Sequence, residues 1–543
     1  MRLTGRTYDE LCANFRWDVP ARFNIAEAVV ARHARATPDA PALIEVQPSG
    51  PPRVWSFATI ERDACRLANA LSSLGVTRRT VVAVHLSQSA ETLVSHLAIL
   101  KLGGISMPLF GLFGPDAIRF RLEDSDASVL ITSAAHIERV AEGLVGLPAL
   151  KSIVSVDGAG PLGAVSWHEL VARGAALHTA VDTAADDPAF LMYTSGTTGN
   201  PKGVLHAHRV LLGHLPGVAV PHDLFPQPGD RFWTPADWAW AGGLFDVLLP
   251  SLYWGVPVVS HRMPRFDPEA AFALMAEHHV RNVFMPATAL RLLRQVPAPR
   301  ARHAYHLRSL ASGGEPLGAD MLAWGQETFG ITMAEFFGQT EVNLVVGNCP
   351  TVFAPRPGSM GRPIPGHHVA IVDDNGNELP PGEPGVVAVR RPDPVMFLEY
   401  WRQPEATAAK FRGDWCLMGD VATRDSDGYF WFQGRDNDII KSSGYRIGPG
   451  EVEECLAKHP AVALAGVIGT PDALRGEVVT AFVLPAKGYA PSSALEAEIQ
   501  AFVKERLASH EWPRKIHFVT EMPMTVTGKI RRVDLRSLAR DRG

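Results

Sequence analysis

Short apolar runs alternate with longer amphipathic ones along this chain, and that alternation limits the folds open to it more than any other feature. VVAVHLS (81–87) reads as a buried strand, and ETLVSHLAILKLGG (91–104) as a helix that stops at glycines. SVLITS (128–133) and KSIVSV (151–156) read as further strands. VPVVSH (256–261) and VRNVFMP (280–286) repeat the pattern, each near a helical stretch. Strands interleaved with helices need crossovers, so the fold class expected is α/β, with layered subdomains and largely parallel sheets. After about residue 355 Gly and Pro become dense, as in FAPRPGSMGRPIPGHH and NGNELPPGEPGVVAVR, and a β-rich subdomain is expected. Beyond GRDND (434–438), EVEECLAKHP and ALEAEIQAFVKERL read as helices, and VALAGVIG and VVTAFVLP as strands. The expected division is an N-terminal domain over 1–435 and a small α+β C-terminal domain over 436–543.

Composition narrows the function. Apolar residues make up 46% of the 543 and the formal net charge is −5, which argues against a nucleic-acid partner. Cys12, Cys65, Cys349, Cys416 and Cys455 form no C-x-x-C spacing, so neither a disulfide scaffold nor a zinc ribbon is expected. The N-terminus has no apolar h-region and no run of about 18 apolar residues occurs. The expectation is a soluble cytoplasmic protein without a membrane span; self-association is left open.

YTSGTTGNPKGV (193–204) packs glycines, hydroxyls and one lysine into a short run. Such a run can present backbone N–H groups, hydroxyls and an ammonium to phosphate. It can equally be an ordinary surface turn. It is not a P-loop, because Lys202 follows Pro201, and Gly528-Lys529 is followed by Ile530. Gly158-Ala159-Gly160-Pro161-Leu162-Gly163 matches G-x-G-x-x-G, yet no helix opens there, and a plain loop is expected. The histidine pairs His206/His208, His278/His279 and His303/His306 join no cysteine or carboxylate at metal-ligand spacing. No G-x-S-x-G elbow is present. There remain ASGGEPL (311–317), FFGQTE (336–341), GDVA (419–422) with Asp420 in a turn, GYFWFQGRDNDIIKSSGYRIGPGEVE (428–453) and PMTVTGKIRR (523–532). Each alone is compatible with a structural turn.

Taken in this order and spacing, these stretches resemble the acyl-adenylate-forming superfamily, from about residue 25 to 535. SSGYRIGPGEVE and WPRKIHFV make the chain most similar to the medium-chain acyl-CoA synthetases. The resemblance implies a two-step reaction on ATP, a carboxylic acid and coenzyme A. It implies that Thr194, Ser195, Gly196, Thr197, Thr198, Gly199 and Lys202 wrap the ATP phosphates, with Lys202 mostly stabilising the loop. Glu341 would hold Mg2+ and Thr340 would bond the α-phosphate. Gly313, Gly314 and Glu315 would line the adenine, with Phe336, Phe337, Gly338 and Gln339 beside it and Phe337 stacked on it. Asp420 and Arg435 would hold the ribose. Lys529 would bridge the acyl carboxylate and the α-phosphate as the catalytic ammonium. The C-terminal domain would be mobile and would bring Ser443, Gly444 and Tyr445 to the pantetheine, while Arg475, Lys504 and Arg514 bind coenzyme A phosphates.

Two departures stand out. The hinge reads Gly434-Arg435-Asp436-Asn437-Asp438, with Asn437 in place of the first of two paired acids. Met418 precedes Gly419-Asp420 where a threonine is usual. Acetate-specific relatives carry Trp at the position of Gly338, so a longer acyl cavity is expected, with Trp238 at its border. A medium-chain, branched or aromatic acid follows from that expectation. An acid pairing a substrate ammonium would fall near Ala241-Gly242; Asp246 lies too late for that position. A free adenylating enzyme acting on another acceptor and a non-catalytic nucleotide- or acyl-binding homologue are the alternatives. Regulation by acylation of Lys529 is left open.

Overall fold

The computed structural model describes residues 3–194, 201–263, 265–315, 317–435, 438–442, 445–472, 475–507, 511–525 and 529–542. The chain divides into two compact units. Met1–Thr194, Lys202–Val369 and Arg390–Asp414 belong to the first, and Ala370–Val389 and Trp415–Gly543 to the second.

The first unit contains two sheets. In one, Ile105–Pro108, Val81–Val84, Val129–Thr132 and Ser152–Ser155 run parallel side by side. Every residue of Val81–Val84 and Val129–Thr132 is buried, as expected where helices cover both faces. Pro188–Thr194 joins this sheet next to Ile105–Pro108 and turns back as Lys202–Ala207, its antiparallel partner. The helices Phe57–Ser73 and Ala90–Lys101 start at Ser56 and Ser89, whose hydroxyls accept from Thr59 N and Thr92 N at 3.2 Å each. In the second sheet, Pro41–Glu45, Val258–Ser260, Phe232–Trp233, Asn282–Phe284, Ser309–Gly313 and Ala334–Phe337 run parallel in that order. Val346–Gly347 returns antiparallel to Ala334–Phe337. Helix Pro268–Glu277 seals one face of this sheet, with Phe272 and Met275 in a cluster with Trp233, Val283 and Leu310. Gly158–Gly163 is a loop with a short 3-10 turn, as the sequence suggests.

In the second unit, Trp415–Arg424 and Phe430–Arg435 form an antiparallel pair. Asp425 shapes the turn between them by accepting from Asp427 N at 3.0 Å and Tyr429 N at 2.9 Å. Further on, Val462–Asp472 and Gly476–Pro485 form a long hairpin. Lys515–Phe518 lies parallel to the second of these strands, with helix Ser493–Lys504 as the crossover. Among the described residues no helix is long and apolar enough to cross a membrane.

Arg308 and Asp230 hold one end of the second sheet. Arg308 Nε and Nη2 donate to the two oxygens of the fully buried Asp230 at 2.8 and 2.7 Å. Asp230→Ala leaves that guanidinium without its anion, and we expect about 3–5 kcal/mol of lost stability. Urea denaturation measures it; a change below 1 kcal/mol (roughly the exposed-pair range) would show the pair to be expendable.

Candidate functional site

Residues of the first unit converge at the C-terminal ends of its parallel strands, where open α/β sheets bind ligands. Thr194 and Lys202 face each other across the antiparallel pair and so form the base of the glycine-rich run. Ser195, Gly196, Thr197, Thr198 and Gly199 lie outside the described residues. The Lys202 ammonium lies 4.9 Å from the centroid of the Tyr400 ring. Tyr400 reaches this position because Glu399–Tyr400 adds as an edge strand to Lys202–Ala207, pairing Tyr400 with Val204. Its hydroxyl donates to Glu341 Oε1 at 2.5 Å. Sequence reasoning did not single out Tyr400, because nothing local in FLEYW distinguishes it from a packing aromatic.

FFGQTE leaves the end of Ala334–Phe337 as a tight loop. Gln339 N donates to Val342 O at 2.9 Å and Val342 N to Gln339 O at 3.2 Å, which sets Thr340 and Glu341 at the tip. Phe397 N donates to Glu341 O at 2.9 Å. Glu341 Oε1 is engaged by Tyr400, and no described residue bonds its other oxygen. Among the described residues no group of three metal-ligating side chains occurs. A single carboxylate oxygen beside substrate phosphates is nonetheless a donor set that suits Mg2+.

Gly313 ends the neighbouring strand opposite Phe336, and a β-carbon there would overlap the Phe336 ring. Gly314 follows with φ 90°, and Glu315 pairs with Arg291 at 3.1 Å. Phe336 is buried and Phe337 half-buried. Gly338 has a reason to be glycine that the sequence did not disclose. A β-carbon at Gly338 would overlap Leu344 N and lie 2.6 Å from Asn343 Oδ1. Leu344 itself takes φ 53°, a left-handed conformation uncommon for a branched residue. The backbone of 343–344 thus fills the space beside Gly338, and Gly338→Trp would report on this turn before it reported on acyl length. Gln339 Oε1 accepts from Lys410 Nζ at 3.5 Å.

Trp238 is fully buried in the core, and its indole N–H has no partner among the described residues. Eight residues on, Asp246 sits in a π-helical turn, Leu244–Leu248. Asn343 Nδ2 donates to Asp246 Oδ1 at 2.7 Å and faces His214 Nε2 at 3.2 Å. His214 Nδ1 is 2.7 Å from Val210 O. Burial pushes the Asp246 carboxyl well above its usual range, and pushes His214 down to about 4. Neither His214 nor Asn343 was a sequence candidate.

In the second unit Asp420 lies inside the strand Trp415–Arg424, not in a turn as its Gly-Asp setting suggests. Gly419 takes φ 74° and the register shifts between Val421 and Ala422, so the strand absorbs the irregularity as a bulge. Asp420 is paired in register with Arg435, whose Nε is 3.2 Å from Asp420 Oδ1. The carboxylate is buried and the guanidinium about half-exposed. Lys529 is tied to Thr525: its N–H donates to Thr525 Oγ1 at 3.0 Å and its carbonyl accepts from Thr525 N at 2.7 Å. Lys504 and Arg514 both lie over the Trp512 ring, at 5.5 and 3.8 Å from its centroid. Arg475 is close enough to Arg514 to disfavour its charge, after the larger effect of burial. Two of the three expected cations thus share one indole that the sequence did not flag, while Arg475 Nη1 lies 3.7 Å from Asp472 Oδ1. Asn437, Ser443 and Gly444 lie outside the described residues, and Tyr445 is described only as the backbone partner of Ser442.

A family model described as "AMP-binding enzyme" matches residues 30–401, and "AMP-binding enzyme C-terminal domain" matches 451–529. The chain is 34% identical to an acetyl-coenzyme A synthetase of Bacillus subtilis (strain 168), over 98% of this chain and 95% of that one. It is 36% identical to the human mitochondrial acyl-coenzyme A synthetase ACSM4, over 95% and 91%. Among solved structures it superposes with a TM-score of 0.87 on the anthranilate CoA ligase AuaEII in complex with anthranoyl-AMP. That match has 31% identity and covers 97% of this chain and 99% of the other.

Gly338→Ala forces the 343–344 backbone to move, and overpacking of this kind costs about 1–3 kcal/mol. Chemical denaturation checks it, and an unchanged midpoint would mean that the turn yields freely.

Proposed function

Starting from its membership of the AMP-binding enzyme family, as one of the acyl-CoA synthetases, we propose how this chain's residues divide the work of that chemistry. An oxygen of the acid's carboxylate attacks the α-phosphorus of ATP and expels pyrophosphate. The thiol of coenzyme A then attacks the acyl carbon and expels AMP. The first step brings an anion onto a polyanion, so its barrier falls with fixed positive charge and exact placement of the reacting groups.

The observation that carries the reading is the chain of contacts from Lys202 through Tyr400 to Glu341. It sets the base of the glycine-rich run against the carboxylate that would face the same phosphates. Residues 194–202 hold the β- and γ-phosphates, and Thr340 bonds the α-phosphate. Glu341, with one oxygen left by Tyr400, would hold Mg2+, which neutralises phosphate charge when bound. Gly313–Glu315 and Phe336–Gln339 receive the adenine. Asp420 accepts from the ribose hydroxyls while Arg435 fixes its orientation. Lys529 supplies the ammonium for the transition state. The small domain over 436–543, pivoting near Asn437, serves the second step with Ser443–Tyr445 and the Arg475, Lys504 and Arg514 cluster. The acid is medium-chain, branched or aromatic, and the reaction belongs in the cytoplasm, in fatty acid metabolism.

Lys529→Ala should slow pyrophosphate release about 10²–10³-fold, the scale for losing one transition-state contact. Thioester formation from supplied acyl-AMP should persist. Equal loss of both steps would remove Lys529 from its role. Absence of pyrophosphate with every acid tried would favour a non-catalytic homologue. Pyrophosphate without thioester would favour another acceptor. Trp512→Ala should raise the KM for coenzyme A roughly tenfold, the size of one charge-assisted contact, and leave pyrophosphate release unchanged; an unaltered KM would detach the basic cluster from coenzyme A.

A further inference from the structure

Asp246, Asn343 and His214 form a buried polar network in a place otherwise lined by rings, and hydrogen-bond accounting shows what the network lacks. His214 Nδ1 faces a carbonyl, Val210 O, so it must carry the proton and Nε2 must be the acceptor. Asn343 Nδ2 then donates to both His214 Nε2 and Asp246 Oδ1. Reversing the Asn343 amide would set its oxygen against two acceptors, so its orientation is fixed by the network. With Asp246 ionised, every donor of the three side chains is used. Asp246 Oδ2 and Asn343 Oδ1 remain, and neither has a partner among the described residues. Both side chains are more than nine-tenths buried, yet neither oxygen is sealed off, so each is an unmet acceptor that a ligand can reach.

The position of these atoms says which ligand. Asn343 Oδ1 lies beside Gly338, in the same loop as Thr340 and Glu341. Asp246 lies one turn beyond Gly242, where a β-carbon would press on the rings of Phe284 and Trp240. Those rings continue to Phe336, with centroid separations of 5.6 Å for Trp240–Phe284 and 5.3 Å for Phe284–Phe336. Asp246 also occupies a π-helical turn, a distortion found often at functional sites. The network thus meets an aromatic run at the loop that carries Thr340 and Glu341.

We propose that Asp246 and Asn343 determine acyl specificity by accepting a hydrogen bond from the substrate, so that the acid activated is an amino- or hydroxyl-substituted apolar or aromatic carboxylic acid. This rests on the reading of the chain as an acid-activating enzyme. An N–H or O–H of the acid meets Asp246 Oδ2 and Asn343 Oδ1, while its apolar body lies along the rings. An ionised Asp246 is favoured by that donor, which offsets the effect of burial on the free carboxyl. An unsubstituted acid leaves both acceptors unmet and is rejected for that reason rather than for its size.

The test uses the full chain with ATP, Mg2+ and benzoic acids carrying amino, hydroxyl, methyl or methoxy groups at each ring position, read by pyrophosphate release. The best amino or hydroxyl acid should exceed its methyl isostere in kcat/KM by about 10²-fold or more, since a site built to hydrogen-bond a substituent rejects the analogue lacking it. In Asp246→Leu the order should reverse, with the methyl isostere gaining while the donor-bearing acid loses. Asp246→Asn should keep the order with a smaller ratio. Equal rates for donor and methyl acids in the unaltered chain, or a preference for methoxy, overturns the proposal, and this comparison needs no variant to fold. Asp246→Leu lowering all acids by one factor also overturns it. Release of pyrophosphate with no acid at all would bring down the acid-activating reading itself, and this inference with it.

Discussion

The hydroxyl of Tyr400 is the contact on which the proposed site of the first unit depends. It donates to Glu341, and its ring lies under the Lys202 ammonium, so a single side chain joins two elements that would otherwise be placed independently. A charge-assisted O–H···O bond of this length is among the stronger hydrogen bonds available to a protein. The edge strand Glu399–Tyr400 exists to deliver it, and the antiparallel pairing of Tyr400 with Val204 sets its height along the strand. The result is a carboxylate with one oxygen committed to Tyr400 and the other without a bond among the described residues. That arrangement is what the proposed meeting of a triphosphate with an organic acid would need.

The second unit repeats the principle with different groups. A buried Asp420 is tolerated because Arg435 stands opposite it in register. Lys504 and Arg514 share the face of Trp512 and would repel each other in a less polarisable setting. Asp438 receives Arg536 at 2.7 Å, and Glu453 accepts twice from Arg532 at 2.6 Å, so charges close to the expected pivot are tied within this unit. A basic pair on one indole face is the kind of surface that the proposed coenzyme A phosphates would need.

Much of this was legible in the sequence, for a physical reason. Phosphate recognition uses contiguous backbone N–H groups and hydroxyls, so the pattern on which the proposal rests is local, at 194–202 and 336–341. The parallel strands at 81–84, 129–132 and 282–284 were equally plain, because strands buried on both faces read as unbroken apolar runs. What was hidden depends on distant pairings. Tyr400 meets Glu341 across 59 positions, and Asn343 meets Asp246 across 97. Trp512 looks like any other core indole until two cations are seen on its face. Asp420 was misplaced in a turn because Gly-Asp commonly marks one, and a bulged strand can hold the same pair. Gly338 was read for the side chain it lacks, whereas its neighbours show that the backbone needs the room.

The central claim is that an oxygen of the acid becomes bonded to the α-phosphorus of ATP. Supplying the acid with its carboxylate labelled by 18O, together with ATP and coenzyme A, and weighing the nucleotide product tests it directly. The account requires AMP carrying one 18O atom, transferred when the thiol displaces it from the acyl carbon. Unlabelled AMP, or ADP with the label in inorganic phosphate, would contradict it.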